Sequence, residues 1–86
     1  MFKPGLYRHY KGNDYIALGL ATHSESLEKM VVYAPLYNES GLWVRPAEMF
    51  SETVSVEGKE QPRFAYLGEA SPEALSRLKA LFNGLL

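Results

Sequence analysis

Apolar and polar residues alternate in short runs along most of the chain and switch to helical spacing at its end. The spacing predicts a short strand over 6–10, closed by the turn Lys11-Gly12-Asn13-Asp14, whose Gly, Asn and Asp tolerate positive φ. Over 15–22, Ile16, Leu18 and Leu20 alternate against Tyr15, Ala17, Gly19 and Ala21, a period of two with one apolar face. The opposite face carries little side-chain bulk, which suits another backbone or a ligand lying close. A polar connection over 22–28 leads to 30–36, which is apolar on both faces and expected at the centre of a sheet. Pro35 should mark the end of that strand or an edge position. After the turn Tyr37-Asn38-Glu39-Ser40-Gly41 comes a short strand over 42–45, then one helical turn over 46–50 begun by Pro46. A strand over 53–56, a turn at Glu57-Gly58-Lys59 and a strand over 62–67 bring the total to five or six. Short strands at this spacing predict a mainly β fold, either a small barrel or a strongly bent sheet.

The end of the chain predicts one helix over 71–85. Ser71 suits the N-cap, Pro72 the first helical position, and Glu73 the positive end of the helix dipole. Ala74, Leu75, Leu78, Leu81, Phe82 and Leu85 share one stripe, and Gly84 falls where a C-cap belongs. Such a stripe either covers an open face of the β body or joins two copies of the chain.

Composition narrows the function classes. The 86 residues allow a single domain, a β body over 5–67 followed by the helix, and their 47% hydrophobic content excludes a disordered tail. The absence of cysteine excludes a disulfide scaffold, a thiolate metal site and a Cys nucleophile. A net charge of −1 disfavours a general nucleic-acid binder. No apolar run approaches the roughly 20 residues of a bilayer span, and no signal-peptide core precedes the body, so no membrane association and a cytoplasmic location are expected. Nucleotide-binding glycine loops and zinc spacings are absent, so no cofactor and no metal is expected.

Four constellations carry candidate chemistry. In Tyr7-Arg8-His9-Tyr10-Lys11, strand alternation sends Tyr7 and His9 one way and Arg8 and Tyr10 the other. The plain alternative is an edge strand blunted by charge. The connection His23-Ser24-Glu25-Ser26 offers an imidazole, a hydroxyl and a carboxylate, which serve either as loop caps or as parts of a hydrolytic site. In Leu42-Trp43-Val44-Arg45, alternation puts Leu42 and Val44 in the core and Trp43 with Arg45 on the other face. Trp43 is expected to be partly buried and Arg45 to lie against an aromatic ring. At least one of His9, His23, Glu25 or Arg63 should border the same concavity. If Arg45 were purely structural, its removal would leave a buried carboxylate unpaired. Pro62-Arg63-Phe64 adds a further cation beside a ring. Arg63, Arg45, Arg8 and Lys11 together make a local basic patch, unless the five glutamates Glu48, Glu52, Glu57, Glu60 and Glu69 pair with them.

Taken in order, Gly5-Leu6-Tyr7-Arg8-His9-Tyr10-Lys11-Gly12, His23-Ser24-Glu25, Val31-Val32-Tyr33, Leu36-Tyr37, Trp43-Val44-Arg45-Pro46 with Met49-Phe50, and Pro62-Arg63-Phe64 resemble the bacterial domain-of-unknown-function family 1653 (DUF1653). The resemblance runs from Gly5 to Tyr66; Ser26 stands where Thr is more usual, and the C-terminal helix lies beyond it. It implies a small bacterial single-domain protein with an SH3-like barrel, and it supplies no activity. It also puts weight on His9, His23, Glu25, Tyr37, Trp43, Arg45 and Arg63, polar or aromatic positions that core packing does not explain.

The leading functional expectation is a non-enzymatic recognition module. Tyr7, Tyr37 and Trp43 would supply flat contact surface, and His9, His23, Glu25, Arg45 and Arg63 charge and hydrogen bonds, to a small planar or anionic ligand or a peptide. A second reading is an acid–base or hydrolytic enzyme using His9, His23 and Glu25, which requires those three groups to converge beside a cleft. A third is a protein–protein interaction domain that forms a homodimer through its helix.

Overall fold

The structure, a computed structural model, describes residues 2–38 and 41–85, with side chains through residue 80. Seven strands and two helices follow in the order β1 (Gly5–His9), β2 (Asp14–Thr22), β3 (Lys29–Pro35), β4 (Trp43–Pro46), α1 (Ala47–Phe50), β5 (Thr53–Val56), β6 (Lys59–Pro62), β7 (Phe64–Gly68) and α2 (Pro72–Leu85). Five strands form one sheet in the order β4-β3-β2-β1-β7, and β5 and β6 form a separate two-stranded sheet. All ladders are antiparallel. Among the described residues no helix is long and apolar enough to cross a membrane.

The mainly β reading holds, and no closed barrel is found among the described residues. No ladder joins β4 to β7 among the described residues, so the sheet ends in two edges. The edges meet through side chains instead: the guanidinium of Arg45, on β4, lies 5.6 Å from the ring centre of Phe64, on β7. Nor is β1 a blunted edge, since it is paired on both sides, to β2 and to β7.

Two packed clusters cover the two faces. On one face Tyr7, Tyr15, Ala17, Val31, Tyr33, Phe50 and Phe64 are buried together, with Phe2, Trp43 and Ala47 against them. On the other, Ile16 and Ala34 meet Ala74 of α2, flanked by Leu6, Leu18, Leu36, Leu42 and Leu78. The register explains the division, because Leu6 opposes Ile16 and Ile16 opposes Ala34, while Tyr7 opposes Tyr15 and Ala17 opposes Tyr33.

The expectation for 15–22 is therefore corrected. The face of Tyr15 and Ala17 is the principal core, and Leu20 is 50% exposed. A bulge between Ala17 and Gly19 adds one residue to β2, so the alternation slips partway along and Leu20, not Gly19, opposes Val31. Val44, expected in the core, is 59% exposed; it opposes Val32 on the α2 side, outside the cluster that α2 covers. The run over 62–67 is two strands. Arg63 stands between them, its N–H donating to Glu52 O (2.8 Å) and its carbonyl accepting from Tyr10 N (2.9 Å). The chain changes sheets at this residue.

α2 starts as read: Ser71 Oγ accepts the Ala74 N–H at 3.1 Å. Ala74 is buried and Leu78 packs beside it, whereas Leu75 faces solvent. The side chains of Leu81, Phe82 and Leu85 lie outside the described residues. Gly84 sits inside the helix bounds rather than beyond them, so it is not the C-cap.

Gly5 marks the closest backbone approach. It takes φ +146°, and a Cβ there would collide with the Gly68 carbonyl oxygen and press on the Tyr66 ring. Gly5→Ala is expected to destabilise the fold by more than about 2 kcal/mol in urea melts, the range of backbone clashes in a packed core. Gly12→Ala meets open space and carries only the conformational cost of its positive φ, about 1 kcal/mol. Equal losses for the two variants would contradict the β1–β7 approach.

Candidate functional site

Strand pairing gathers polar and aromatic side chains at one end of the Tyr face. His9, the last residue of β1, opposes Phe64; Trp43 opposes Tyr33, and Arg45 opposes Val31. Tyr15 stands at the centre. Its ring lies 5.5 Å from Tyr33, 5.6 Å from Tyr37, 5.6 Å from Phe64, 5.9 Å from Trp43 and 6.4 Å from His9. Most of these contacts are edge-to-face, the arrangement the ring quadrupole favours. α1 supplies Phe50, which stacks on Phe64 at 4.1 Å with the planes 3° apart.

The polar atoms are tied into this lattice. Arg45 Nε–H donates to the Tyr33 hydroxyl at 3.2 Å. The Tyr15 and Tyr37 hydroxyls share a hydrogen bond of 3.1 Å. His9 Nδ1 accepts the Lys11 N–H at 3.2 Å, so the neutral imidazole carries its proton on Nε2. The His9 ring meets Phe64 edge-on at 4.9 Å. Trp43 is partly buried and Arg45 lies against a ring, as expected from alternation.

Charge at this end is one-sided. Burial pushes the His9 pKa below its ordinary 6.5, and Arg45, Lys11 and Arg63 push it further the same way. The Tyr15 hydroxyl is raised, first by burial and then by its bond to Tyr37, so it stays a proton donor. Arg63 Nε is buried with no hydrogen-bond partner. Among the described residues no carboxylate pairs with Lys11, Arg45 or Arg63 and no carboxylate is buried, so none of them is the buried partner of Arg45 that the structural alternative requires. Arg8 leaves the patch: alternation turns it away, and it grips Asp14 at 2.7 and 3.1 Å, holding that carboxyl below the usual range.

Five of the eight expected site residues thus share one neighbourhood: His9, Tyr37, Trp43, Arg45 and Arg63. Tyr7 faces the same way but sits deeper. Its ring packs on Phe2, Phe50 and Tyr66, and its hydroxyl donates to the Lys3 carbonyl. His23 and Glu25 lie in the β2–β3 connection, separated from the His9 end by the whole of β2, a contour of about 26 Å at a strand's rise per residue. There His23 Nδ1 accepts the Glu25 and Ser26 N–H groups at 3.1 and 3.3 Å, a loop-capping role. The structure does not bring His9, His23 and Glu25 together. Among the described residues, no three His, Asp or Glu side chains gather at metal-ligating spacing. Tyr15, Tyr33 and Phe64 are not among the eight expected site residues, although Phe64 is the ring beside Arg63 and Tyr33 falls in the Val31-Val32-Tyr33 stretch. Their one available signal is the parity they share with Tyr7 and Trp43 across the paired strands.

The lowered His9 pKa has a definite sign. The unfolded chain takes up a proton near pH 6.5 while the folded chain still refuses it, so the His9 contribution is present above 6.5 and lost as pH falls through the folded value. Urea melts between pH 7.5 and 5 should show stability falling with acidification. His9→Gln, which keeps an acceptor for the Lys11 N–H, should flatten that slope. An unchanged slope in the variant would contradict the electrostatic account.

No curated protein matches the chain. Among solved structures, it is similar to the crystal structure of a DUF1653 protein from Bordetella bronchiseptica, at 48% identity and a TM-score of 0.75, covering 83% of this chain and 94% of that one. The family model described as "Protein of unknown function (DUF1653)" matches residues 5–66, from the opening of β1 into β7 and short of α2. The strands that carry the aromatic and cationic cluster are the matched ones, and the chain belongs to DUF1653.

Proposed function

We propose that the chain is a non-enzymatic recognition module whose His9–Arg45–Arg63 end holds a small planar anion, or a peptide that presents one. The observation that carries this reading is the convergence of Arg45, Lys11 and Arg63 on His9 with no carboxylate paired to them among the described residues. Like charges gathered this closely repel one another, and a bound anion offsets that repulsion. Trp43 and Tyr37 give flat surface beside the charges, and Arg45 is held in place by Tyr33 and Phe64, so little of its freedom remains to be lost on binding. His9 enters as a hydrogen-bond donor through Nε2 rather than as a base, because its surroundings keep it neutral at pH 7.

The test is a titration of the full chain with inorganic phosphate, citrate and a nucleoside monophosphate, followed by His9 imidazole NMR and Trp43 fluorescence. A bound anion is expected to move the His9 pKa back upward and to give a saturable Trp43 change. Arg45→Ala should abolish both responses while lowering stability by only about 1 kcal/mol, the common size for one substitution without a buried charge at stake. If none of the three anions moves either signal, this reading fails.

A further inference from the structure

A separate cleft lies between the N-terminal arm and β7. Its volume is about 440 Å³, and its walls are the rings of Phe2, Tyr7, Phe50 and Tyr66, with Phe64 behind them. Phe2 stacks on Tyr7 at 5.9 Å and 8°, while Phe50 and Tyr66 meet Tyr7 at 79° and 63°. Tyr7, Phe50 and Phe64 are buried against one another and form the floor, so the surface open to a flat aromatic guest is the exposed Tyr66 ring together with Phe2. The volume falls in the lower part of the roughly 300–1,000 Å³ typical of ligand pockets, enough for one ring system and too little for a dinucleotide.

The polar lining decides the charge of the guest. Among the described residues Lys3 is the one charged residue along the cleft, and its ammonium lies 5.4 Å from the centre of the Tyr66 ring. Ser51 adds a hydroxyl, and no described carboxylate lines the walls. The Tyr7 hydroxyl is already committed to the Lys3 carbonyl, which pins the arm across the cleft. A cationic guest would meet the Lys3 charge and have to displace it. An anionic guest is attracted by that charge.

We infer that this cleft is a binding site for a single aromatic ring bearing a carboxylate, the ring lodged among Phe2, Tyr7 and Tyr66 and the carboxylate paired with Lys3 and Ser51. Arg45, Trp43 and His9 do not line these walls, and the two sites meet only through Phe64, which stands between them.

The experiment is aromatic-resolved NMR of the full chain titrated with benzoate, benzamide, cyclohexanecarboxylate and benzylamine. Benzoate is expected to give saturable shifts at Phe2, Tyr7 and Tyr66, with benzamide and cyclohexanecarboxylate clearly weaker. Lys3→Gln, at an exposed position, should weaken benzoate about threefold to fivefold, the size of an exposed charge pair. Benzylamine binding more tightly than benzoate would overturn the inference in favour of a cation cage. Absence of saturable shifts with benzoate, or Lys3→Gln leaving its affinity unaltered, would also overturn it. Benzoate shifts at His9 and Trp43 with Phe2 and Tyr66 unmoved would place the guest at the His9 end and refute the separate site.

Discussion

The two edges of the main sheet are not joined by backbone hydrogen bonds; they are joined by one guanidinium against one phenyl ring. Arg45 on β4 reaches Phe64 on β7, and Phe64 is in turn stacked by Phe50, which α1 delivers directly after β4. Tyr33 belongs to the same group, its ring 5.8 Å from Phe64 and its hydroxyl accepting from Arg45 Nε. The rings of His9, Tyr15, Tyr33 and Phe50 all meet Phe64, so the contact that spans the two edges also sets the neighbours of the candidate site.

Local features were legible in the sequence because local physics decides them. Ser71 caps α2, Glu57 and Gly58 take the positive φ of a tight hairpin, and Trp43 shares a face with Arg45. What escaped depends on information that no short window holds. The bulge in β2 shows only as a glycine, yet it moves Leu20 out of the expected core and leaves Tyr15 at the centre. The split at Arg63 reflects competition between two partners for one run of strand-forming residues: β5 takes the part before it and β1 the part after. Val44 reads as a core residue by alternation, but whether a face is covered depends on where α2 lies, which alternation does not encode. Of the site, the cations and Trp43 were recognisable as residue types. The strand expected over 15–22 already separates His23 from His9; what no short window held is the pairing that brings Arg45 and Arg63 to the His9 end.

His9 and His23 show how one residue type serves two ends of a strand differently. Both rings accept backbone N–H groups through Nδ1, so both close a turn. Only His9 is also pressed against Phe64 and surrounded by cations. The same capping chemistry stands in an exposed loop at one end and among rings and cations at the other, with neighbours making the difference.

The bond from Arg63 N–H to Glu52 O has a consequence for how the chain reaches this state. Phe50 and Phe64 must stack, and between them lies the whole β5–β6 hairpin. That hairpin can zip from its own tight turn, a local event of microseconds. Once its stem closes at Glu52 and Arg63, the two phenylalanines are separated by a short, already ordered link rather than by a free loop. The loop-closure entropy of the edge-to-edge contact is then met in small local steps. A nonlocal seam becomes kinetically near, and the hairpin acts as a folding splint for the ring stack that closes the sheet.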